Sequence, residues 1–376
     1  MTTVRILIVG AGIAGLAFAG ALERRGITAE IVERTTVTKR SGTGIYLQAN
    51  AMRALDELGV GSQVTARANP IRHQHILDHR GRRLADIDMA RIWDGVGECV
   101  ALHRADLHAV LRTAAARVPI RQGTPVTGLQ AGWTRTRVTF GNGAHETYDL
   151  VVGADGVHST VRRLALGGGS SVRYLGQLCW RFVAHGFHGV SDWTVRLGPG
   201  RSFLTVALGR GDVYCYADVN AVDPTHPVGP VGPVGAPDDW RALFADFSAP
   251  VPQLLAQASA AYHARIEEVG APAWTTRRVV LIGDAAHAAS PNMAQGAALA
   301  VEDALVLADE LTSGQPVEEA LAAYERRRTE RVAWVRHQTH RRDRTRGLPA
   351  AVRNTVLRAG AERMFRAHYR PLRAKP

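Results

Sequence analysis

A chain of 376 residues, 46% of them hydrophobic, can bury a full core, which excludes a disordered or fibrous protein. It has no run of about 18 apolar residues to span a bilayer, and its three cysteines, Cys99, Cys179 and Cys215, are odd in number and form no CxxC pair, so neither a disulfide framework nor a zinc site is expected. The net charge of +12 admits a nucleic-acid or anionic partner, yet it is carried almost wholly by arginine, densest at 326–331 and 336–346, where Glu325, Glu330, Trp334 and Val335 intervene at helical spacing; that reads as a solvated helix face, without a nucleic-acid motif.

In chain order, the N-terminus enters a strand by Val4 without a basic, cleavable leader, so a cytoplasmic location is expected. The apolar strand 4–9 meets a glycine turn, then a helix from about Ile13 to Arg25 that stops at Gly26, then the strand 29–32 ending in Glu33: a βαβ opening. A helix is predicted from Asn50, as N-cap, through Met52, Leu55 and Leu58 to Gly59. From Ile71 to Val100 short strands with a turn at Arg80-Gly81 leave the first domain, and a helix returns over 105–117. A hairpin over 126–129 and 138–140, turning at Gly141-Asn142-Gly143, leads to the buried run Leu150-Val151-Val152. Alternation over 174–262 predicts one antiparallel sheet, with strands at 193–197, 203–208 and 213–219. The Val-Gly-Pro segment 227–235 reads as a surface loop. A buried strand at 279–282 precedes a helix over about 295–311, and the last stretch reads as helical.

Gly10-Ala11-Gly12-Ile13-Ala14-Gly15 follows a buried strand and opens a helix, so its backbone can approach a pyrophosphate at a helix N-terminus. Glu33, eighteen residues beyond Gly15, can take a ribose diol. By itself this pair says "dinucleotide" and does not separate FAD from NAD. Gly283-Asp284 ends a third buried strand, and Pro291 to Gly296, with Asn292 as a possible cap, enters a helix whose free N–H groups would stabilise negative charge. In Asp155-Gly156-Val157-His158-Ser159-Thr160-Val161-Arg162, Asp155 and Ser159 could also be merely a turn and a helix cap.

Together these sets, in this order and spacing from Val4 to about Arg331, resemble the group A (single-component) flavoprotein monooxygenases, similar to para-hydroxybenzoate, salicylate and urate hydroxylases. The resemblance implies an α/β fold: a Rossmann-like, GR2-type FAD-binding domain (1–70, 99–172 and 273–335), an inserted antiparallel-sheet substrate domain (71–98 and 173–272) and C-terminal helices (336–376). It implies FAD contacts at Gly10, Gly12, Ile13, Ala14, Gly15, Glu33, Arg34, Gly44, Arg104, Val126, Asp155, Gly156, Arg162, Gly283, Asp284, Pro291, Gly296 and Ala297. NADH or NADPH would visit the same cleft, since no second glycine-rich turn exists. One departure from many relatives is Gln48-Ala49-Asn50, where they carry Pro before the Asn.

The chemistry so implied is NAD(P)H-driven hydroxylation of a phenolic or heteroaromatic small molecule by O₂ through a flavin C4a-hydroperoxide, in a monomer or homodimer without metal, nucleic acid or membrane span. A related architecture could instead epoxidise, reduce or cyclise a secondary metabolite. Side-chain candidates in the sheet are Trp180, Arg181, His185, Phe203, Arg210, Tyr214 and Tyr216, of which Arg181, Tyr214 and Tyr216 are the catalytic candidates. Tyr214 and Tyr216 share strand parity, facing either the pocket or a packed face. Arg181 could pair an anionic substrate or a neighbouring carboxylate, and His287 reads as structural rather than as a base.

Overall fold

Continuous apolar runs make strands that are buried on both faces, and three of them form the centre of the first sheet. The computed structural model describes residues 4–36, 43–221, 240–258, 261–346 and 348–376, so the Val-Gly-Pro segment lies outside the described residues. The six-stranded sheet runs, in space, Thr275–Thr276, Val279–Leu281, Leu150–Gly153, Ile6–Val9, Ala29–Val32 and Ile120–Arg121. All its pairs are parallel except the first. The helix Ile13–Arg24 buries every residue from Ile13 to Leu22 because it is pressed between this sheet and the helix Gly296–Leu311. It ends at Arg25, with Gly26 at φ +70°.

The predicted excursion and the long alternating region join in one seven-stranded sheet: Tyr262–Gly270, Ser171–Ala184, Asp212–Asn220, Arg201–Gly209, Trp193–Gly198, His73–Asp78 and Arg83–Asp88. It departs from the expected all-antiparallel pattern at one seam, where Trp193–Gly198 pairs parallel with His73–Asp78. These strands meet from separate passes of the chain, so no hairpin dictates their direction. Alternation gives the sheet two unlike faces. Trp180, Phe182, Phe203 and Cys215 point to one side, where Trp240, Phe244, Phe247 and Leu254 from the segments Trp240–Phe244 and Val251–Leu255 cover them. Cys179, Tyr216 and Ile266 point to the other.

The chain closes with the helices Val317–Arg346 and Ala350–Tyr369. Here the expected solvated arginine face is corrected in part: Arg326, Arg327, Arg341 and Arg344 are exposed, but three others turn inward. Arg328 is fully buried, bonding Asp303 at 2.7 Å and Glu302 at 3.0 Å; Arg331 reaches Glu302 at 2.6 Å, and Arg346 meets Asp218. The acids lie on the helix Gly296–Leu311 and in the sheet, so spacing along one helix could not reveal them. Two predicted caps are also corrected. Gln48, not Asn50, stands at the N-cap of Ala49–Glu57, while Asn50 is buried inside the helix. Asn292 caps nothing and instead donates to Asp343.

Candidate active site

The carboxyl ends of Ile6–Val9, Leu150–Gly153 and Val279–Leu281 converge where the strand order reverses, the usual ligand position in an open parallel sheet. A cleft of about 810 Å³ opens there between this edge and the second sheet. It is lined by Gly12 to Ala14, Arg104, Gly156 to His158, Arg181, Tyr262 to Glu267, Asp284 and the segment from His287 to Ala297. Residues from all three sequence motifs therefore reach one space.

The glycines divide into two kinds. A Cβ on Gly15 would stand 2.0 Å from the Gly10 carbonyl oxygen, one on Gly10 2.5 Å from that of Ala154, and one on Gly283 2.9 Å from the Ala14 Cβ. Gly10 and Gly15 let backbone elements touch, and Gly283 makes room for the Ala14 methyl. A Cβ on Gly12 would meet nothing within 4 Å, so the space before this turn is open. Gly12 is the N-cap of Ile13–Arg24 and provides no side-chain cap, and Gln295 likewise makes no cap bond to Gly296–Leu311. Two helix N-termini thus face the cleft with unpaired N–H groups. The helix Thr160–Leu166, by contrast, is closed by its own side chains. Ser159 accepts from Arg162 N–H at 2.9 Å, and Asp155 accepts from Thr160 and Val161 N–H at 2.7 and 3.1 Å and from the Ser159 hydroxyl.

Arg162 is buried and donates to the carbonyls of Ala285 at 2.8 Å and Val157 at 2.6 Å, stapling one motif to the other. His287 is held by Asp303 at 2.6 Å, and the same Asp303 oxygen accepts from Gly283 N–H at 2.8 Å. Burial works against the Asp303 charge, but His287 and Arg328 outweigh it and hold the carboxyl at about 2. These bonds give His287 a structural position. Asp284, in contrast, is exposed toward the cleft.

At the end of the second strand Glu33 accepts from Ala11 N–H at 3.0 Å and from Thr35 N–H and hydroxyl at 3.0 and 2.9 Å. Burial opposes its charge, yet the two amides leave its pKa lowered, so it stands ionised beside the glycine turn. Arg34 is exposed, and Val126 is buried in the strand Val126–Ala131. Gly44 lies under the second sheet, where an added Cβ would come within 2.5 Å of Tyr214 Cβ.

Tyr214 and Tyr216 do face one side with Arg181, as their parity requires, while Trp180 and Phe203 turn into the opposite aromatic core. The Arg181 guanidinium lies over the Tyr216 ring at 5.5 Å. Among the described residues its buried Nε and the Tyr216 hydroxyl have no hydrogen-bond partner by geometry and no carboxylate pairs with this arginine, the neighbouring Cys179 thiol being the group that acts on both side chains. Burial raises the Tyr216 pKa well above the ordinary phenol value, which keeps its O–H a donor. His185 sits away from this group, exposed and paired with Asp212 at 2.6 Å, and Arg210 holds a turn at φ +55°. Sequence reasoning did not single out Ser290, whose buried hydroxyl has no partner at the cleft, or Gln295 and Tyr262.

An open glycine turn, two uncapped helix N-termini, an ionised carboxylate at the second strand end and an orphaned Ser290 hydroxyl fit a long anionic dinucleotide such as FAD. Comparison with known proteins agrees. The FAD binding domain family matches residues 3–170 and 242–339. The chain is 37% identical to aurachin C monooxygenase/isomerase of Stigmatella aurantiaca, covering 88% of this chain and 86% of that one. It is 34% identical to 2-heptyl-3-hydroxy-4(1H)-quinolone synthase of Pseudomonas aeruginosa, covering 89% and 87%. The crystal structure of Klebsiella pneumoniae HpxO complexed with FAD and uric acid superposes with a TM-score of 0.88 at 25% identity, over 99% of this chain and 97% of that one.

Proposed function

Because this chain belongs to the FAD binding domain family, among the flavin-dependent aromatic hydroxylases, we propose that it spends NADH or NADPH and O₂ to hydroxylate a heteroaromatic ring bearing an acidic oxygen. The observation that carries the substrate class is Arg181: a cleft-lining cation whose buried Nε has no partner, and which has no carboxylate beside it, among the described residues. A buried charge left without a counterion is costly, and an anionic oxygen of the substrate would relieve that cost.

The proposed division of labour follows from the side chains. Gly12 and the first turn of Ile13–Arg24 hold the pyrophosphate, Glu33 the adenosine ribose and Asp284 the ribityl chain; Arg104 and the backbone of Pro291 to Ala297 flank the ring system. When bound, FAD supplies the two-electron reduction and the activation of O₂. Arg181 holds the substrate oxygen as its anion, which makes the ring more electron-rich, and the Tyr216 ring beneath the guanidinium positions it. Tyr214, closed over Gly44, walls off water on that side.

A second reading, oxygenation followed by rearrangement, is favoured by the isomerase half of the aurachin relative's name. The test for the main reading is purification followed by a substrate screen. A yellow protein whose NADH or NADPH oxidation is stimulated by acidic heteroaromatics, with an oxygenated product, supports it; a protein that binds no flavin overturns it. Recovery of a rearranged, oxygenated skeleton would move the conclusion to the second reading.

A further inference from the structure

The cleft-facing segment Pro291 to Gly296 is held from behind by a set of buried amides, and Gln48 is at its centre. Gln48 is 1% exposed; its Nε2 donates to the Met293 carbonyl and to the Tyr369 hydroxyl, both at 3.0 Å, and its Oε1 accepts from Gln295 Nε2 at 2.9 Å. Gln295, 2% exposed, also accepts from Asn50 Nδ2 at 2.9 Å. A second hold comes from the C-terminal helices: Arg342 donates to the Asn292 carbonyl at 2.7 Å and to the Tyr369 hydroxyl at 3.3 Å.

Three regions far apart in sequence thus meet on one short segment: the start of Ala49–Glu57, the segment itself and the end of Ala350–Tyr369. The segment needs such support. It contains a non-glycine residue in the left-handed region, Ala294 at φ +50°, ψ +37°, a conformation that surrounding contacts must hold. It also delivers the uncapped N-terminus of Gly296–Leu311 to the cleft, so a shift of Met293 or Gln295 moves those free N–H groups.

We propose that Gln48 is a positioning residue for the flavin: by clamping Met293 and Gln295 it sets the distance between the N-terminus of Gly296–Leu311 and the flavin ring, and so tunes how strongly the reduced, anionic ring is stabilised. Asn50, Arg342 and Tyr369 are its supports. The inference rests on FAD lying against Pro291 to Ala297.

The experiment compares the FAD-loaded wild type with Gln48→Met, which keeps the length but loses every amide bond, and Tyr369→Phe, which leaves the Gln48 to Met293 bond in place. Flavin reduction potential, visible flavin spectrum, FAD Kd and melting temperature are measured on each. In Gln48→Met we expect a more negative potential, a shifted flavin band and FAD binding weaker by about tenfold, from the loss of roughly one buried hydrogen bond's worth of positioning. Tyr369→Phe should show the same changes in smaller measure. A folded Gln48→Met protein with wild-type potential, spectrum and Kd overturns the proposal. If Gln48→Met does not fold, an unchanged potential and spectrum in Tyr369→Phe overturns it. A wild type that takes up no flavin defeats the flavin reading itself, a separate and recognisable failure.

Discussion

Along the strand Ser171–Ala184 successive side chains enter two different environments. Trp180 and Phe182 join a packed aromatic layer, with Trp180 stacked on Trp240 at 5.1 Å and 5° between ring planes and Phe182 edge-on to Phe203 at 6.4 Å. Cys179 and Arg181 look the other way, into a face that keeps an unpaired guanidinium nitrogen and an unpaired phenol. The first face is a closed aromatic layer, in which the Trp180 indole N–H also lacks a partner among the described residues. The second borders the cleft through Arg181, whose Nε, like the Tyr216 hydroxyl, has no partner among the described residues. Neighbouring residues of one strand can thus serve stability and binding separately, because alternation sends them to opposite sides of the sheet.

The comparison is broken if the two faces prove interchangeable. Trp180→Ala should have the largest effect, a loss of about 3–5 kcal/mol of stability from the emptied aromatic layer, with little change in KM for whatever protein remains folded; urea or thermal unfolding measures the first and steady-state kinetics the second. Arg181→Met should do the reverse: an unchanged or slightly higher melting temperature, and a KM for an acidic substrate raised about 10–100-fold, since a bond to a charged group is lost. An equal penalty on a neutral analogue of the same ring would show that Arg181 does not read charge.

The helices packed behind the cleft sharpen the contrast through pH. Burial, helped by Arg342 and Arg341, pushes the His368 pKa down from its ordinary value to about 4, so the folded protein keeps this histidine neutral. The unfolded chain binds its proton first as the pH falls. Stability from this group is therefore complete above about 6.5 and is lost as the pH falls toward about 4. A His368→Gln variant should show a flatter fall in melting temperature across that window, whereas Trp180→Ala should keep the wild-type slope. The smallest effect belongs to Tyr216→Phe: removing a hydroxyl that has no partner should leave stability the same or slightly higher, and should raise KM less than about tenfold. A clear loss of stability in that variant would mean that the hydroxyl is satisfied within the protein.

Much of the cofactor side was legible because its signals are local. Gly10 and Gly15 allow backbone contacts, and Gly283 a close approach of the Ala14 methyl, that any side chain would block, and Glu33 follows a strand whose position relative to the glycine turn is fixed by the βαβ unit. Parity alone put Tyr214 and Tyr216 on one side of a strand, but it could not say which side faced the cleft. The same argument admitted Trp180 and Phe203 as candidates, because an aromatic residue in a strand looks alike whether it lines a pocket or fills a core. Two arginines of the otherwise exposed face at 326–331 were misread for a related reason: Arg328 and Arg331 find Glu302 and Asp303 on another helix, and charge spacing within one element does not record its partners.

The sequence by itself determined the parallel sheet, the glycine turn with its carboxylate, the order of the three motifs and hence the family, since each depends on residues within one supersecondary unit. Only the tertiary structure decided which wall of the cleft holds a cation with no described carboxylate beside it, that Asp155 closes the N-terminus of the helix Thr160–Leu166, and that Gln48 and Tyr369 meet behind Met293 across 321 residues of chain. The physical reason is that hydrogen-bond satisfaction and burial are properties of the packed molecule. An amide or guanidinium written in a sequence is neither paired nor orphaned until the chain has folded around it.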